Sequence, residues 1–153
     1  MSKLIFLDTE TTGLSPRYGH RIIEIACYRT INGEQKDVFH YYLNPERSID
    51  PEAEKIHGLN LEFLADKPKF AEIAAEFISF IQDQHLIIHN APFDISFLEN
   101  ELRLCKYPTC NISNIAKITD SLAIARKKHP GKKNSLDALC KRYQVDRSQR
   151  HLH

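Results

Sequence analysis

The chain opens on an apolar run, Leu4-Ile5-Phe6-Leu7, that stops at Asp8, which predicts a buried strand over residues 3–8 ending on a carboxylate. Residues 21–30 and 34–43 are rich in Ile, Tyr, Val and Phe. Between them stands Asn32-Gly33, a dipeptide that accepts the positive φ angles of a tight hairpin turn, so the chain begins with strands, at least two of them antiparallel. Asp50-Pro51 reads as an N-cap followed by proline in the first helical turn, with Gly58 as the stop. From about Pro68, the residues Phe70, Ile73, Ala74, Phe77, Ile78 and Ile81 recur at helical spacing. Residues 86–89 predict a short buried strand, 93–104 a helix and 111–119 a further strand. Two helices follow, over 121–128 and 135–143, the second with Leu136, Leu139, Cys140 and Tyr143 on one face. Strands first, then helices interleaved with more strands, predict an α/β fold with a mixed sheet covered by helices.

Composition changes this picture little. A length of 153 residues, with 42% hydrophobic and 27% charged, suits one domain with a real core, and no repeat or linker divides it. The apolar runs are too short for a membrane span, and the N-terminal one is too short for a signal peptide, so no membrane partner and a cytoplasmic location are expected. Cys27, Cys105, Cys110 and Cys140 form no C-x-x-C pair and read as reduced thiols. The net charge of +1 hides an asymmetry: residues 1–101 carry −8 and residues 102–153 carry +9. An acidic half that holds metal ions and a basic half that meets phosphates would suit a nuclease, although scattered surface charge gives the same totals.

Asp8 and Glu10 are two residues apart at the end of the first strand, and alternation turns both toward one side. Two such carboxylates repel unless a cation lies between them, and hard oxygen ligands suit Mg²⁺ or Mn²⁺. A solvated strand end is the ordinary explanation of the pair alone. The turn that follows, Thr11-Thr12-Gly13, is small and polar and lets a ligand approach the backbone. His89-Asn90-Ala91-Pro92-Phe93-Asp94 stands at a strand-to-helix junction, where ligand crevices are favoured. Its plain alternatives are a cap at Asn90, a core anchor at Phe93 and a helix-dipole contact at Asp94.

Together these stretches resemble the DEDD superfamily of 3′→5′ exonucleases, in its histidine-type, proofreading branch. The first motif is Asp8-Thr9-Glu10-Thr11-Thr12-Gly13 and the second His89-Asn90-Ala91-Pro92-Phe93-Asp94. Asp50-Pro51-Glu52-Ala53, Ile56-His57-Gly58-Leu59, Thr119-Asp120-Ser121-Leu122-Ala123 and Asn134-Ser135-Leu136-Asp137-Ala138-Leu139-Cys140 also match, in order and over nearly the whole chain. Ser148-Gln149-Arg150-His151-Leu152-His153 matches the approach to the third motif. The resemblance then makes His153, rather than His151, the catalytic histidine. The aspartate that follows it, and the terminal helix, have no counterpart here, so the resemblance implies a single exonuclease domain over 1–153 that is incomplete at its C-terminus.

The resemblance further implies a ribonuclease-H-like fold with a roughly five-stranded mixed sheet, on which Asp8, Glu10 and Asp94 converge. It implies two Mg²⁺ or Mn²⁺ ions in the complete site, held by Asp8, Glu10 and Asp94, and His153 as general base. Thr11, Gly13, His57 and Phe93 are the implied contacts to the terminal nucleotide. The implied reaction is release of nucleoside 5′-monophosphates from the 3′ end of single-stranded or frayed DNA, beside a polymerase catalytic subunit. A frayed end enters such a pocket more cheaply than a paired one, by about a few kcal/mol where a mismatch has loosened it. Two other readings use the same residues. One is an RNA-trimming relative; the other, suggested by the missing aspartate, is a catalytically impaired docking domain of a polymerase assembly.

Overall fold

The computed structural model describes residues 2–143. His151, His153 and the approach to the third motif lie outside the described residues. Five strands form one mixed sheet in the order β3-β2-β1-β4-β5. They are β1 (Lys3–Thr11), β2 (Ile22–Ile31), β3 (Glu34–Tyr42), β4 (His85–Ile88) and β5 (Lys117–Asp120). The first three run antiparallel, while β4 lies parallel to β1 and β5 parallel to β4. The hairpin between β2 and β3 turns where expected, with φ of 53° at Asn32 and 84° at Gly33.

Six helices are α1 (Pro51–His57), α2 (Leu61–Leu64), α3 (Phe70–Ile81), α4 (Ala91–Leu104), α5 (Ser121–Lys128) and α6 (Leu136–Arg142). Gly58 ends α1 in the left-handed conformation, as its position predicts. The apolar stripe of α3 is buried throughout. It joins Phe97, Leu98 and Leu102 of α4 in one core against Ile5 and Leu7 of β1, Ile25 and Cys27 of β2, and Leu86 and Ile88 of β4. Along β1 the alternation is regular: Ile5, Leu7, Thr9 and Thr11 are buried, while Phe6 and Asp8 are exposed. All four cysteines are free thiols, as expected. Among the described residues no helix is long and apolar enough to cross a membrane.

The structure adds detail that the sequence expectations lacked. The first strand continues three residues beyond Asp8, because β2 keeps pairing with it through Thr11↔Ile22 across a bulge at Glu10/Thr11. The stretch 111–119 holds a strand as expected, β5, which starts only at Lys117 because the Asn111 side chain accepts from Ser113 N–H and closes a 3-10 turn, Ile112–Asn114, before it. The apolar face of α6 is not buried: Leu136 is 46% and Tyr143 54% exposed. Helical spacing tells which side chains share a face, and nothing in it tells whether another element reaches them.

One buried ion pair fixes the loop between β1 and β2 against α4. Glu101 Oε1 accepts from Arg21 Nη2 at 2.7 Å, and Oε2 accepts from Arg21 Nε at 3.0 Å and from Ile22 N–H at 2.9 Å. Glu101 is 1% exposed, so truncating it strands a backbone donor and a half-buried guanidinium. Glu101→Ala should lower unfolding free energy by about 3–5 kcal/mol. Glu101→Gln, which keeps an acceptor for Ile22 N–H, should lose less. Urea denaturation of the two variants beside the parent protein measures both.

Candidate active site

The extension of β1 carries Asp8, Thr9, Glu10 and Thr11 to the sheet's edge of the α4 N-terminus. Asp8 is exposed and Glu10 half-buried. Thr9 alternates to the opposite, buried side, and there its hydroxyl donates to Oδ1 of Asp94 at 2.5 Å. Asp94 stands in the first turn of α4 and is 3% exposed. It therefore approaches the strand end from the side of Thr9, yet it feels the charges of both other carboxylates. Burial, above all, pushes its carboxyl up to about 8 against the Thr9 hydrogen bond, and Asp8, Glu10 and Asp120 push it the same way as burial. Asp94 thus feels the charges of Asp8 and Glu10 from the side of β1 on which Thr9 lies, not from theirs.

A cavity of about 310 Å³ opens at this strand end, lined by Glu10, Thr11, Gly13, Asp50, His57 and Phe93 among others. All four expected nucleotide contacts, Thr11, Gly13, His57 and Phe93, thus share one wall system. Its frame is built from imidazoles. Leu59 N–H donates to Nδ1 of His57 at 3.0 Å, so the ring proton lies on Nε2, which donates to the Thr11 carbonyl at 3.2 Å. His57 is 1% exposed, held as much by the backbone as it is presented to the cavity. His20 lies between Thr12 Oγ1 at 2.9 Å from Nδ1 and Asp50 Oδ2 at 3.3 Å from Nε2. Gly13 packs on its ring so closely that a Cβ would fall 2.3 Å from Cε1. Glycine there is required by close approach rather than by turn geometry. Phe93 combines both roles expected of it, lining the cavity while packing on Phe97 with ring centroids 5.0 Å apart.

The second motif is anchored from the C-terminal half. Asn90, at φ 66°, occupies the N-cap position of α4 without a side-chain cap bond, so the simple-cap explanation does not hold. Its N–H instead donates to Oδ1 of Asp120, which also caps α5 through Leu122 N–H. His89 Nε2 donates to the Asn134 carbonyl at 2.7 Å, and Nδ1 lies 3.1 Å from Ser121 Oγ. Sequence reasoning passed over Thr9, His20 and Glu101 as working parts. The signal for Thr9 was available, since a polar residue between two outward carboxylates must face the helix layer. For His20 and Glu101 there was none, because their partners are 30 and 80 residues away.

The donor set is hard oxygen, the chemistry that suits Mg²⁺ or Mn²⁺. As the side chains stand, no three His, Cys, Asp or Glu groups among the described residues are gathered so as to hold one ion. The fit lies in the donor chemistry: burial first, and then the charges of Asp8, Glu10 and Asp120, favour the neutral form of Asp94, and a dication would offset the charge part of that effect.

This fold and acidic strand end define the class: the chain belongs to the exonuclease family, whose pattern matches residues 5–153. Its sheet and helices are those of ribonuclease-H-like exonucleases. Among relatives, the chain is 53% identical over 153 residues to DNA polymerase III subunit epsilon of Rickettsia conorii, covering 97% of this chain and 65% of that protein. It is 50% identical over 158 residues to DNA polymerase III subunit epsilon of Escherichia coli, covering 100% of this chain and 65% of that protein. The chain thus spans 65% of the length of these relatives. Exonuclease X in complex with 5′ overhanging duplex DNA superposes with a TM-score of 0.72 at 26% identity, over 98% of this chain and 79% of that one. The E. coli exonuclease I–single-stranded DNA complex in its zinc-bound form has the same fold, with a TM-score of 0.84 at 22% identity over 99% of this chain and 37% of that one.

Asp94 makes stability depend on pH in a direction opposite to most carboxylates. Its carboxyl titrates near 3.8 when unfolded and at about 8 in the fold, so between these values the folded state holds the extra proton. Its contribution is fully present below the unfolded value and is lost as pH rises through about 8. In EDTA, the parent protein should lose stability relative to Asp94→Asn from about pH 4 to pH 8, because asparagine stays neutral. Denaturation series across pH on both proteins check this, and added Mg²⁺ should flatten the difference.

Proposed function

We propose that this protein is a 3′→5′ DNA exonuclease that proofreads, releasing nucleoside 5′-monophosphates one at a time. The observation that carries the reading is the acidic end of β1, where Glu10 lines the same cavity as Thr11, Gly13, His57 and Phe93 while Asp8 stands two residues before it and Asp94 is hydrogen-bonded to Thr9 between them. Asp8, Glu10 and Asp94 would hold Mg²⁺ or Mn²⁺. When bound, two such ions supply Lewis-acid activation of a water and stabilise the leaving 3′ oxygen. The chain's own residues do the rest. Phe93 and the Thr11–Gly13 backbone pack and orient the terminal nucleotide, while His57 holds the Thr11 carbonyl in place. His153, outside the described residues, is our candidate to take the proton from water, a role suited to a group titrating near neutrality.

The preferred substrate is a single-stranded or frayed 3′ end. The last turns of α5 (Arg126, Lys127, Lys128) and α6 (Lys141, Arg142) are basic, charge of the sign that a phosphate backbone attracts. The relatives' name supports a polymerase catalytic subunit as partner and the cytoplasm as location.

The test is a 5′-labelled single-stranded DNA with Mg²⁺, Mn²⁺ or EDTA, beside an RNA of the same sequence. We expect metal-dependent shortening from the 3′ end with DNA preferred. Shortening of the RNA alone would transfer the reading to RNA trimming, and no shortening under either metal would leave a docking domain. Asp8→Ala should lower the rate by more than about 100-fold, the scale on which losing one preorganised transition-state contact acts.

A further inference from the structure

Among the described residues, one side-chain hydrogen bond ties Asp94 to the strand end. Its Oδ1 accepts the hydroxyl of Thr9, and Oδ2 accepts no hydrogen bond among the described residues. Both side chains are buried, at 7% exposed for Thr9 and 3% for Asp94, so little solvent competes for the bond. Thr9 lies between Asp8 and Glu10 in β1, where its backbone is locked by pairing with Ile25 of β2. Asp94 is carried by α4, whose first turn is fixed by Asn90 N–H on Asp120. The hydroxyl is therefore a link between two rigid elements, one bearing two carboxylates and the other bearing the third.

We propose that Thr9 is a positioning residue for the metal site: by occupying Oδ1 of Asp94 it leaves Oδ2 as the oxygen offered to a cation shared with Asp8 and Glu10. The idea rests on the metal-dependent reading above. A carboxylate free to rotate must be ordered when an ion binds, whereas one already tethered on one oxygen is not. A neighbour that holds a ligand in this way typically sets metal affinity by about 10–100-fold. Valine keeps the β-branched shape of Thr9 and its fit in the strand, and removes only the hydroxyl. Serine keeps the hydroxyl and gives up the methyl.

The experiment is a Mn²⁺ titration followed by calorimetry and by the electron paramagnetic resonance of free Mn²⁺. It compares the parent protein, Thr9→Val, Thr9→Ser and Asp94→Asn, each checked for fold by near-ultraviolet circular dichroism. Thr9→Val should bind Mn²⁺ about 10-fold more weakly and Thr9→Ser close to the parent. Equal affinity for the parent and Thr9→Val, with Asp94→Asn impaired, would overturn the role of Thr9 and leave the metal site standing. Equal loss in Thr9→Val and Thr9→Ser would also overturn it, since the methyl packing would then be the cause. Absence of Mn²⁺ binding by the parent would overturn the metal site and this proposal together.

Discussion

The site depends first on β1 being paired along both edges. Antiparallel pairing with β2 continues to Thr11, and parallel pairing with β4 joins Ile5, Phe6 and Leu7 to Leu86, Ile87 and Ile88. A strand held on both sides cannot shift by one residue without turning its buried face outward. In β1 that face is Ile5, Leu7, Thr9 and Thr11, so the register that buries the core is the same one that turns Asp8 and Glu10 away from it. Core packing and ligand placement are one constraint here, met by one alternation.

Around that strand, the polar residues divide by whether they make the site or hold it. Glu101 is as buried as the core and has every oxygen engaged by Arg21 and Ile22, so its charge is spent on joining α4 to the β1–β2 loop. Asp94 is nearly as buried and sits among like charges with one neutral donor. The same functional group, a buried carboxylate, is thus satisfied at Glu101 and left with one donor at Asp94, 7 positions earlier on the same helix. Such a group in a satisfied surrounding is typical of the perturbed carboxylates of working sites.

Much of this was legible in the sequence, and the rest fails for definable reasons. The Asn32-Gly33 turn, the α3 stripe and the Pro51–Gly58 limits of α1 are set by local chemistry, and the structure has them as expected. The α2 turn and the 3-10 turn at Pro16–Tyr18 were missed because three or four residues carry no period. The strand expected within 111–119 is present as β5, but its start at Lys117 was not legible, because the Asn111 side chain closes a turn ahead of it. At the site, Asp8 and Glu10 could be placed on one face by alternation alone. The motif spacing could not show that Asp94 comes to the strand from the Thr9 side, because that is set by how α4 leaves β4 through the left-handed Asn90.

The two kinds of strand pairing also set when the site comes into being. The β1–β2–β3 meander joins neighbours in sequence through short connections, so it can form early. The parallel register of β1 with β4 must close across some 80 residues, and loop-closure entropy makes such pairing late in folding. Asp8 and Glu10 belong to the early unit and Asp94 to the late one. A nascent or partly folded chain therefore carries two of the carboxylates before the third has been brought to them.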